Sequence, residues 1–300
     1  MTVSKGVPIL HTVMGGAERI IRVSALAIAF ACSLAASNAN AETPVAGQIT
    51  GDVTWSPEGS PYVLSSNVTI AEGANLTIEP GVEVRPSEGN WHLNVLGTLR
   101  AVGTPADPID ISIGGEIRFL KGSGGSELAF VAVRDSVSTA LANDADGAYE
   151  LNGPWPEIHD VHLIDNYRAI DVWYPLGGDA RFTEIHISGG VYGLLDGVAD
   201  GTIAISRSVI EGTDRAPITF SGNRDPEEVR IVTDSNISPS ARNCSRMSNP
   251  CLLALESSGY PVDVSAVWWG TTDRTVIDRQ ILDQHDNPGL PLAQIGRAHV

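Results

Sequence analysis

The chain has almost no lysine: of its 19 basic residues only Lys5 and Lys121 are lysines. It also has only three cysteines, three methionines and 6% aromatic residues. No unbroken apolar run reaches the length a membrane-spanning helix needs, because the longest, Val23 to Ala36, has about fourteen residues. Before residue 274 no stretch places apolar side chains at helical spacing, which excludes a helical bundle. The strings that announce common chemistries are missing too. There is no G-x-S-x-G, no H-E-x-x-H and no phosphate-binding loop, and KGSGGSEL (Lys121 to Leu128) fits neither phosphate spacing.

The ends of the chain read differently from its body. Lys5, Arg19 and Arg22 precede the apolar run, and Ala39-Asn40-Ala41 supplies small residues where a signal peptidase cuts. Residues 1–41 are therefore expected to be a signal peptide, with Met14 an equally good start and 1–13 a misplaced one. Residues 289–300 read as a truncated tail whose last six residues, IGRAHV, match the translation of a sequencing-library adapter.

Between these ends, residues 42–294 carry 35 acids (36 less Glu18) and 15 bases (19 less Lys5, Arg19, Arg22 and Arg297), a net charge of −20. Such a field repels phosphate backbones and excludes nucleic acid as a natural partner. Two cysteines, Cys244 and Cys251 in NCSRMSNPC, lie within this segment. An even count in an exported chain, with no histidine between residues 187 and 284 to complete a metal set, points to a disulfide.

The body is written in strands and turns. Asn67 to Val84 places Val68, Ile70, Leu76, Ile78, Val82 and Val84 in short alternating runs broken at Gly73 and Pro80-Gly81. A longer period lies above this one. DVHLIDN (Asp160 to Asn166) aligns with EIHISGG (Glu184 to Gly190) at a spacing of 24, and Ser208 to Gly212 continues the series. Units of this size stack, each burying its apolar row against the next, which places Leu163 over Ile187.

The opening segments GQITGDVTW, PYVLSSNVTIAEGANLTIEPGVEV and LNVLGTLRAVGTPADPIDI resemble bacterial exported proteins of the pectate-lyase-like superfamily. The segment VWWGTTDRTVIDRQILDQHDNP resembles the one that closes many of those proteins, although Val267 stands where they carry asparagine. The resemblance implies an all-β, right-handed parallel β-helix over residues 42–265, closed by residues 266–288. That closing segment is expected to hold a short capping helix near 273–284, capped by Thr272 or Asp273 and striped by Val276, Ile277, Ile281 and Leu282.

Site candidates are few. Alternation turns Asp160 and His162 outward, and the repeat sets them beside Glu184 and His186, which gathers two imidazoles and two carboxylates for acid–base work or metal capture. Trp173 and Tyr174 are candidate sugar platforms, with Trp155 and Tyr192 readable as surface or core. NDADGAYE offers Asp144, Asp146 and Glu150 as oxygen ligands for calcium, although Ala142 stands where an EF-hand needs its first carboxylate. The polysaccharide-acting relatives' signatures are absent: in the Arg-x-Pro-x-x-Arg pattern that Arg215 and Pro217 begin, Phe220 takes the last place. No resident cofactor is implied. The expected role is an exported binding or structural module meeting polysaccharide or a cell-surface component, with a polysaccharide lyase, hydrolase or epimerase as the alternative.

Overall fold

A computed structural model describes residues 42–143, 153–173, 179–197, 201–220, 229–242, 250–256, 261–290 and 292–295. Tyr174, Asp144, Asp146, Glu150, Cys244, the expected signal peptide at residues 1–41 and residues 296–300 lie outside these. Among the described residues every strand pairing is parallel, and the chain winds through three ladders of ten strand segments each. Among the described residues the protein is a parallel β-helix of ten coils with one α-helix.

Each ladder buries one continuous column of apolar side chains. In the first, Val84, Ile111, Val133, Leu163, Ile187, Ile210 and Ile237 lie one above another. In the second, Leu93, Ile117, Leu141, Ile170, Leu194, Ile218, Leu253 and Ile281 do the same. In the third, Trp55, Ile78, Ala101, Leu128, Ile158, Phe182, Ile205 and Val232 complete the interior. All of these side chains belong to one buried cluster. Burial of each large aliphatic side chain stabilises by about 1.5–3 kcal/mol, and no single coil encloses its own row.

The corner between the third and first ladders is unusually tight. Phe130, Asp160, Glu184, Arg207 and Asp234 occupy it on five consecutive coils, all with left-handed backbone (φ 49° to 56°). In three of the coils this one residue is the whole connection, as between Ala129 and Val131. A single left-handed residue bends an extended chain sharply, and aspartate tolerates that conformation better than most side chains. The outward groups of this corner form the site considered below.

The closing segment differs from its expectation. The helix spans only Arg274–Asp278, with the Asp273 carboxylate accepting from the Thr275 N–H at 2.9 Å. Ile281 and Leu282 are not on it; they form a strand paired with Leu253 and Ala254. Val276 is exposed while Ile277 is buried. Residues 267–294 thus make a tenth coil, and the helix fills the turn between two of its strands. Among the described residues no helix is long and apolar enough to cross a membrane.

Candidate functional site

The four titratable candidates lie on neighbouring coils at the tight corner. Asp160 and Glu184 are its left-handed residues, and His162 and His186, two positions on, are directly paired in the first ladder. Their rings meet edge to face with centroids 5.4 Å apart. Burial, then repulsion from His186, push the His162 imidazole below its ordinary 6.5, while Asp160 pulls the other way.

Three of the four side chains are engaged by partners. His159 Nδ1 is 2.9 Å from Asp160 Oδ2, Arg207 Nε donates to Glu184 Oε1 at 2.8 Å, and His186 Nε2 is 3.0 Å from Glu211 Oε1. Among the described residues His162 makes no side-chain hydrogen bond, and no three His, Cys, Asp or Glu side chains converge as metal ligands. The alignment that found Asp160 and Glu184 also held Arg207 and Glu211. They stand 23 residues after Glu184 and Ser188, one step further along the same repeat. His159 carried no such signal, because it belongs to the preceding ladder.

Two cavities flank the corner. The larger, about 540 Å³, runs along the outer face of the third ladder and is lined by Glu157, His159, Asp179, Arg181, Thr183 and Arg207 among others. Arg181 donates to Asp179 at 2.6 Å, a hydrogen bond that holds the Asp179 carboxyl below the ordinary carboxylate range. The smaller, about 350 Å³, lies on the first-ladder side and is lined by Asp160, His162, Glu184 and Phe130, under a loop that brings Thr104, Pro105 and Pro108 across the corner. Glu184 borders both cavities. His186 lines neither.

The aromatic candidates separate. Trp155 is core, packed between Phe119 and Phe182 at centroid distances of 5.9 and 5.2 Å. Trp173 is half-buried, its backbone N–H donating to Asn143 Oδ1 at 2.6 Å, and its ring covers Gly197 so closely that a Cβ there would sit 2.4 Å from it. Tyr192 stacks edge to face on the exposed Tyr167, 5.8 Å away at another corner.

Comparison with known proteins adds one sequence likeness. The chain is 30% identical over 151 residues to Protein bark beetle of Drosophila melanogaster. The match takes in 46% of this chain and 4% of that protein, so the chain spans a small fraction of its relative's length. No protein-family model matches the chain, and no solved structure matches it.

Proposed function

We propose that this protein is an exported member of the pectate-lyase-like superfamily, a binding or structural module that meets polysaccharide at the cell surface. The observation that carries the reading is the 540 Å³ groove on the third-ladder flank, with Glu157, His159, Asp179, Arg181 and Thr183 along it. Sugar hydroxyls both donate and accept, and a row of carboxylates, guanidinium, imidazole and hydroxyl offers both kinds of partner. The rigid stack beneath holds these groups without ordering cost at the moment of binding. The pairing of Asp160, Glu184 and His186 with neighbouring side chains supports fixed recognition over proton transfer.

Retention of the purified chain on immobilised acidic and neutral polysaccharides tests this. Retention that weakens in Arg181→Ala and His159→Ala is the expected result; a folded chain that passes every column overturns it. Export is tested separately, by locating the protein outside the cytoplasm of the cells that make it.

A second reading, a polysaccharide lyase, hydrolase or epimerase, is favoured by one feature. His162 lines a cavity beside Asp160 with its pKa pushed below the ordinary value, which suits a neutral general base. Polysaccharide turnover, followed by ultraviolet absorbance for a lyase, and lost in His162→Ala, would favour it over the first.

A further inference from the structure

The smaller cavity differs in character from the groove beside it. Pro105, Pro108 and Phe130 contribute apolar wall to it, and Asp160 and Glu184 contribute carboxylates. Among the described residues no lysine or arginine lines it. The counter-groups of the two carboxylates, His159 and Arg207, line the groove on the other side of the corner. Positive charge is therefore sorted to the groove, which holds acids as well, while the titratable groups lining the smaller cavity are Asp160, Glu184 and His162. An ionised carboxylate accepts several hydrogen bonds, so each retains acceptor capacity on its cavity side.

Phe130 gives a separate reason to look here. It holds the left-handed corner position (φ 51°) that Asp160 and Asp234 hold on other coils. A bulky aromatic is strained in that conformation, where asparagine or glycine is at ease. Its ring meets the His159 imidazole edge to face, 6.3 Å away, so the aromatic side chain is held at the border of the cavity.

From the cavity's size, its sorted charge and its aromatic wall, we propose that it binds a small amphipathic organic cation, an ammonium group carrying a compact apolar body. The ammonium would sit between Asp160 and Glu184 and the apolar body against Phe130 and the prolines. The long-range field favours the same ligand, since residues 42–294 carry a net charge of −20 (35 acids, 15 bases). This proposal is independent of polysaccharide binding in the neighbouring groove.

The test uses the full chain and calorimetric titration with 2-phenylethylammonium, against 2-phenylethanol as its uncharged counterpart and ethylammonium as the cation without the apolar body. The aromatic ammonium is expected to bind at least about tenfold more tightly than either control, as one charge-assisted contact or cation–π contact would require. Asp160→Asn and Glu184→Gln should each weaken it, and added salt should weaken it further. Phe130→Asn should lose the binding while its melting temperature holds or rises, which a purely structural Phe130 would not do. Equal affinity for ammonium and alcohol overturns the proposal. So does binding that none of the three variants alters, or no measurable binding by the native chain. None of these results bears on polysaccharide retention, so the two readings fail separately.

Discussion

His162 and His186 stack on neighbouring coils with ring centroids 5.4 Å apart and planes inclined at 71°. The spacing follows from the parallel ladder, which places equivalent residues of successive coils about 4.8 Å apart. Burial, then repulsion from His186, makes the His162 ring resist protonation, while the His186 Nε2 lies 3.0 Å from Glu211 Oε1.

Acid sensitivity should carry the signature of that ring. Above the ordinary value of 6.5, His162 is neutral folded and unfolded and makes no difference to stability. As pH falls through 6.5 the unfolded chain takes up the proton first, so stability drops, and the loss is complete below the depressed folded value. Histidine-resolved NMR titration should place the His162 midpoint below that of a free imidazole. His186→Ala should raise it and Asp160→Asn should lower it further. A midpoint at or above the ordinary value refutes the account.

The ion pair between Arg230 and Asp196 sits wholly inside the stack, with Arg230 Nε donating to Asp196 Oδ2 at 2.8 Å and Nη1 to the Gly201 carbonyl at 2.7 Å. Removing one partner takes away a buried counter-charge. Asp196→Ala or Arg230→Leu is expected to cost about 3–5 kcal/mol in urea unfolding. The double substitution should cost clearly less than the sum of the two.

Ala266 closes the last tight corner with φ 56°, a conformation its methyl group disfavours. Ala266→Gly should raise stability by about 0.5–1 kcal/mol, since relief of the strain outweighs the extra freedom glycine gives the unfolded chain. A loss of stability on thermal unfolding would show that the methyl group packs usefully.

Cys251 is fully buried, and its expected partner Cys244 lies outside the described residues. A Cys244–Cys251 bridge closes a short loop, worth roughly 2–3 kcal/mol at best. Peptide mapping without reductant should recover the two cysteines linked, and Cys244→Ser should lower the unfolding midpoint. Two free thiols in protein purified without reductant would refute the pairing.

The sequence by itself determined the architecture, because a β-helix is decided by local signals that repeat. The alternation around Val68 and Ile70, and the 24-residue step that sets Leu163 against Ile187, state which residues face inward and which coil they meet. That same step placed His162 beside His186. Signals confined to one coil were read less well. The run from Val276 to Leu282 carries helical spacing, yet pairing with Leu253 and Ala254 claims Ile281 and Leu282 for a strand, because an exposed ladder edge gains more from backbone hydrogen bonds than from a second helical turn.

What only the tertiary structure decided is how side chains far apart in the chain face one another around the tight corner. The prolines at 105 and 108 belong to the same corner one coil before Phe130, where residues 103–108 take the place of that single residue, and the repeat alone does not say how this longer turn lies against Asp160 or Glu184. Loops of different length carry no register, so their approach to a flank depends on where each excursion begins and ends. The partner of each charge was undecided for a related reason. Glu184 lines the smaller cavity together with His162, yet its carboxylate accepts from Arg207 on the next coil.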